Sequence, residues 1–247
     1  MKISVISMWF NEAFLAPFFL GHYSYADKIH ILLDTDTNDN TRDICARYDN
    51  VEIEDFTFPD MMDDNLKIIK INEVTARETA DWVFAVDADE FIFPAGGESA
   101  PAVLERQTAN LLYAQMWQVY RHAADTDLDP AQSAIFQRRH GDPNIKTGVN
   151  ALYVKPIIVR PEIGIVWYPG CHTFKPNEKI IISPEKFWGA HWQMADVEMA
   201  VDRRIHGRRE RQSKVNLAVG YSVLHHHITE KEIRDICTAH TSDPQVF

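Results

Sequence analysis

A chain of 247 residues with 45 % hydrophobic residues can bury a substantial core and excludes a disorder-dominated reading. Its formal charge of −11 argues against a sequence-independent grip on nucleic acid, which needs clustered Lys and Arg, and is compatible with a divalent cation. Cys45, Cys171 and Cys237 have no repeated spacing and read as reduced thiols of a cytoplasmic protein.

The opening MKISVISMWFNEAFLAPFFL is interrupted by Asn11, Glu12 and Pro17, so it does not read as a signal peptide. No apolar stretch reaches the length of a membrane span. KISVISMWF is expected as a buried first strand, with a helix beginning directly at its end. A second strand, Ile29 to Leu33, runs into the polar turn DTDTNDNT. A short helix follows with Thr41 at its N-cap, then the alternating strand VEIEDF. The next helix, DDNLKIIKINEVTARETA, offers Leu66, Ile69, Val74 and Ala76 to a core. DWVFAVDADEF is then a fourth strand. This alternation predicts an α/β fold with a mostly parallel, doubly wound sheet, whose ligands bind beyond the carboxyl ends of the strands. Asn11 with Glu12, Asp34 with Asp36, and the Asp87–Glu90 cluster all fall at such ends.

Further on, residues 101–112 suggest a helix and LLYAQMWQVYR a strand. Residues 124–150 form a polar excursion of the kind that binds substrate. LYVKPIIVRP and IGIVWYPGCHTF suggest two more strands, and residues 195–219 a charged helix or helix pair. With no repeat or linker, residues 1–247 read as one domain: a nucleotide-binding half (1–95), an acceptor half (96–190) and a C-terminal helical, closing segment (191–247).

The DADE cluster directs the chemistry. In an extended segment Asp87 and Asp89 face the same way, and two carboxylates there can share a hard cation such as Mg²⁺ or Mn²⁺. A solvated acidic turn is the plain alternative; the WVFAV strand before it and the two other acidic strand ends favour the site.

Together MWFNEA, LLDTDTNDNT and DADEF resemble nucleotide-sugar glycosyltransferases of the GT-A fold, in particular family-2-like members with a DWVxxxDADEF signature. KPIIVRPEIGIVWYPGCH and GAHW resemble later segments of that group more loosely. The resemblance implies transfer of a sugar from a nucleoside diphosphate sugar, with a UDP-sugar as the leading donor, to a glycan or lipid-linked acceptor. It implies a cytoplasmic enzyme, with a peripheral place at the inner membrane surface as a further option, using Mn²⁺ or Mg²⁺. Asn11, Glu12, Asp34 and Asn72 would lie along the nucleotide. Asp87 would reach the ribose or the metal, Asp89 would bind the metal directly, and His191 would be the third ligand, with His172 competing. Asp142, in the acceptor loop, is the expected catalytic base; Glu162 and Asp196 stay open.

Other candidates carry a plain reading beside the functional one. Trp188 and Trp192 could stack on a sugar or fill the core. Residues 203–214 (RRIHGRRERQSK) read as a solvated face that could lend one cation to a diphosphate. Lys155 and Arg160 could hold phosphate or sit at the surface. Neighbouring residues His225 to His227 point different ways on a helix and read as surface. A nucleotidyltransferase would carry a Gly-rich, basic loop after the first strand, which WFNEAFLAP lacks. The remaining rival is a non-catalytic sugar- or partner-binding domain of the same fold.

Overall fold

The apolar runs at the N-terminus fold as strands β1 (Ile3–Trp9), β2 (Lys28–Asp34), β3 (Val51–Phe56) and β4 (Trp82–Ala85). Helices α1 (Ala16–His22), α2 (Thr41–Cys45) and α3 (Asp64–Arg77) connect them. A computed structural model describes residues 1–141, 154–175, 177–220 and 227–247. The order β3-β2-β1-β4 is parallel throughout, and each of these strands is joined to the next in sequence by a helical crossover.

The second half extends the same sheet with β5 (Glu90–Pro94), β6 (Leu111–Tyr120), β7 (His140–Gly141), β8 (Val154–Val159) and β9 (Phe187–Met194). Strand β8 runs antiparallel to β4 and β6, while β9 lies parallel to β6 and antiparallel to β5. Six of the nine strands (β1–β4, β6 and β9) therefore run one way, and their carboxyl ends share one edge. The fold is α/β with a mostly parallel sheet.

Several local expectations change. The core face of α3 is Ile68, Ile71, Val74 and Thr75; Ile69 is 51 % exposed and Ala76 is exposed. Helix α1 starts at Ala16, since the chain first makes a turn in which Asn11 has a left-handed φ of 51°. Thr41 is the first helical residue; its hydroxyl accepts the Glu12 N–H and donates to Asp39. The DWVFAVDADEF strand is broken: β4 stops at Ala85 and a turn through Ala88 and Asp89 separates it from β5. Residues 163–174 give 3-10 turns around an isolated bridge, Trp167 to Phe174. The charged C-terminal stretch is a helix (Val197–Val201), a π-helical turn (Asp202–Arg208), a 3-10 turn (Arg209–Arg211) and a helix (Lys214–Ala218). A further helix, Glu230–Ala239, opens on a capping box of Thr229 and Glu232.

Trp9, Phe19, Tyr23, Trp82, Phe91 and Trp192 are buried in the main core, each contributing on the order of 1.5–3 kcal/mol. Trp192 packs on Phe18 and Phe91, so it is a core side chain and does not offer a sugar-stacking face. Arg160 lies over Trp82 and donates to the Ala109 and Gln107 carbonyls, which makes it scaffold. No helix among the described residues is long and apolar enough to cross a membrane.

Candidate active site

Beyond the carboxyl ends of β1, β2 and β4, acids and bases meet in pairs. After β1, Glu12 is 2 % exposed, and its Oε1 accepts from Arg203 Nη2 at 2.8 Å and Arg208 Nη2 at 3.1 Å. At the end of β2, Asp34 accepts from Arg211 at 2.6 Å and from the Asp36 N–H at 3.0 Å. Asp36 meets the same guanidinium at 3.1 Å, and that group lies 3.7 Å over the Phe10 ring. After β4, Asp87 pairs with Lys67 at 2.5 Å and Lys155 at 3.5 Å, while Asp89 pairs with Arg203 at 2.6 Å. Lys155 also holds Glu90 at 2.5 Å.

Asp87 and Asp89 thus look to different cations. The alternation argument holds inside a strand and fails here because both acids lie in the turn after Ala85. Burial acts to raise the Asp89 carboxyl, but Arg203, with His191 and Arg208, holds it well below the usual carboxylate range. For Asp87 burial is likewise outweighed, by Lys67 and Lys155, and the pKa is lowered. Burial dominates at Glu90 and pushes it up to about 7 against the pull of Lys155.

His191 stands opposite Glu90 in the β5–β9 register, with Nε2 3.7 Å from Asp89 Oδ1. Burial lowers its pKa to about 4 despite Asp89, so the ring is neutral. His172 is exposed and packs on Gly170, whose φ of 79° turns the chain there.

A divalent cation needs several donor atoms converging on one point with free lone pairs. Asp87, Asp89 and His191 are not drawn into such a set. Among the described residues, the set with one donor atom from each within 4.8 Å of the others is His122, Asp125 and His140. The cleft carboxylates hold guanidinium and ammonium groups in the places a metal would take, so in this arrangement they do not fit the expected Mn²⁺ or Mg²⁺.

Two other expected nucleotide contacts have structural jobs. Asn11 exchanges hydrogen bonds with Asn38, clasping the loop after β2. Asn72 brackets the Trp167 backbone, donating to its carbonyl at 3.0 Å and accepting its N–H at 2.9 Å. Asp196 caps the helix Val197–Val201. Asp142, His225 and His226 lie outside the described residues, and His227 is exposed. The components that a sequence reading underweights are the cations. Lys67 comes from α3, and Arg203 and Arg204, 8 % and 7 % exposed, come from a stretch that reads as solvated. The one available signal was charge balance, since acids gathered at buried strand ends require partners.

The cavity here is lined by Trp9, Phe10 and Phe58 together with Asp34, Lys67 and Arg208. Its volume is about 170 Å³. Apolar rings beside paired charges suit a molecule with an aromatic part and an anionic part.

No protein-family model and no curated protein matches the chain. Among solved structures it is similar to S. aureus TarS 1–349, with a TM-score of 0.44 and 14 % identity over 96 % of this chain and 69 % of that one. In the longer TarS structure the likeness covers 42 % of that chain. Mannosyl-3-phosphoglycerate synthase from Rubrobacter xylanophilus matches at 0.33 and 16 %, over 48 % of this chain and 41 % of that one. A 4-diphosphocytidyl-2C-methyl-D-erythritol synthase matches at 0.37 and 10 %, over 66 % and 77 %.

Proposed function

We propose that the chain is a GT-A-type glycosyltransferase, moving a sugar from a nucleoside diphosphate sugar, with a UDP-sugar as the expected donor, to an acceptor hydroxyl of a glycan or lipid-linked substrate. One observation carries this reading: Glu12, Asp34, Asp87 and Asp89 converge with Lys67, Arg203, Arg208 and Arg211 beyond the carboxyl ends of β1, β2 and β4. In this reading Phe10 and Asp34 receive the base end of the donor. Lys67 and Arg208, each now held by a carboxylate, turn to the diphosphate. Negative charge grows on that diphosphate as the glycosidic bond breaks, and fixed cations in a poorly hydrated cleft stabilise it. Arg203, locked between Glu12 and Asp89, keeps the acids from repelling the anion. The proton acceptor is proposed at Asp142, which follows β7 directly.

A second reading, transfer dependent on Mn²⁺ or Mg²⁺ held by Asp87, Asp89 and His191, is favoured by one contact, His191 Nε2 at 3.7 Å from Asp89 Oδ1. It requires Arg203 to leave Asp89. One experiment addresses both: incubate the protein with UDP-sugars, with Mn²⁺ or with chelator, and follow released nucleotide. Release of nucleoside diphosphate in chelator supports the side-chain cations, and release only with Mn²⁺ supports the metal. Pyrophosphate release from nucleoside triphosphate and sugar phosphate would make it a nucleotidyltransferase instead. If calorimetry finds no affinity for any sugar nucleotide, the transferase reading fails.

A further inference from the structure

A second polar cluster stands apart from the cleft. His122 and Asp125 lie just past the end of β6, and His140 begins β7, which pairs back on Val119 and Tyr120. The two imidazoles stack with centroids 4.2 Å apart and planes 25° apart. Asp125 Oδ1 faces His140 Nδ1 at 3.9 Å, and Asp125 Oδ2 accepts the His122 backbone N–H at 2.9 Å. One donor atom from each of the three residues lies within 4.8 Å of the others. His140 Nδ1 is inaccessible to solvent and has no hydrogen-bond partner. None of the three lines the cleft cavity.

We propose that His122, Asp125 and His140 bind one borderline divalent cation, Zn²⁺ in the first instance. Two imidazoles and one carboxylate are a zinc-type donor set, not a magnesium or calcium one. Tetrahedral zinc holds its ligand atoms about 3.3 Å apart, so the 3.9 Å between Asp125 and His140 must shorten slightly and the stacked rings must tilt. His122 Nδ1 would exchange the 3.1 Å bond it accepts from Ala124 N–H for the metal; Ala124 is exposed, so water can take over that N–H. Arg138 Nη1 forms a long ion pair with Asp125 Oδ2 at 3.8 Å while donating to the Thr126 and Gln137 carbonyls, and Oδ1, the oxygen that faces His140, is left to the cation. A neighbouring cavity lined by Arg121, His122, Cys237 and Thr238 gives the ion a way in. Three protein ligands leave a fourth position to water. The ion would pin the exit of β6 to β7, and through the His140–Gln245 bridge to the C-terminal residues.

The test uses the full chain, stripped with chelator and titrated with Co²⁺ as a visible probe and with Zn²⁺ by calorimetry. Wild type is expected to take up one equivalent, give a tetrahedral-type cobalt band that Zn²⁺ abolishes, and melt at higher temperature with Zn²⁺. His140→Gln and Asp125→Asn, each with native circular dichroism, should weaken uptake at least tenfold, and Asp89→Asn should leave the cobalt band in place. No uptake by wild type overturns the site. So does uptake unchanged in His140→Gln and in His122→Ala, or a band lost in Asp89→Asn and kept in the histidine variants, which would move the ion to the cleft.

Discussion

Arg203 is the residue on which the cleft turns. Its two Nη atoms reach Glu12 and Asp89, carboxylates that are each 2 % exposed. Arg203→Met should therefore cost about 3–5 kcal/mol, the penalty for stranding buried charge, read as a lower urea midpoint. Arg203→Lys should recover only part of it, because one ammonium cannot fork to both acids. Asp34 acts at the base end of the proposed donor site. Asp34→Ala should weaken binding of free nucleoside diphosphate and of whole donor alike, measured by calorimetry; a loss confined to the intact sugar nucleotide would move Asp34 to the sugar side. The acids of this site were legible because each ends an apolar run. Their partners were not: the run of arginines after Asp202 has the composition of a solvated face, and only the π-helical turn buries Arg203.

Elements show the same division. Strands β1 to β4 are legible as apolar runs with helices between them, because buried parallel strands carry continuous hydrophobic sequence. The second half was less so: β5 is five residues long, β7 is two, and their pairing depends on β9 and β6, remote in sequence. Gly141 shows how tight that pairing is, since an added Cβ would stand 2.2 Å from the Gln118 carbonyl oxygen. Gly141→Ala should cost about 1–3 kcal/mol by prising β7 from β6, again visible as a lower urea midpoint. Helix α1 carries a pH response at its last residue. His22 donates its Nε2–H to the Ile92 carbonyl, and burial lowers its pKa from 6.5 to about 4. Between those values the unfolded chain binds a proton that the folded chain does not, so stability falls as pH falls. At pH 5.5 the loss from this group is up to about 1.4 kcal/mol. Unfolding at pH 7.5 and 5.5 should show a smaller drop in His22→Asn than in wild type.

For the whole molecule, the cleft is shut by its own C-terminal part. Met62 N–H donates to the Arg211 carbonyl, Ser213 N–H donates to the Met62 carbonyl, and Arg211 grips Asp34. The remaining 170 Å³ is below the roughly 300–1,000 Å³ of typical ligand sites, so entry of the proposed donor requires this strap to lift. Once the strap closes again over bound UDP, with the diphosphate on Lys67 and Arg208, hydrogen exchange across 202–218 should slow; unchanged exchange with saturating nucleotide would refute the strap. The sheet's chain order has another consequence, felt before the protein is finished. Among the described residues β5 pairs with β9 alone, and residues 95 to 186 separate the two. A ribosome adding about 5–20 residues per second needs roughly 5–20 seconds to cross that interval. Throughout it Phe91 and Ile92, fully buried at the end, have no strand to join and are open to other chains. Strand β6 waits as well, because β9 is also its parallel neighbour. A nascent chain released before Phe187 therefore carries two unpaired edges into the cell, and holding chaperones should meet this protein at that stage of synthesis.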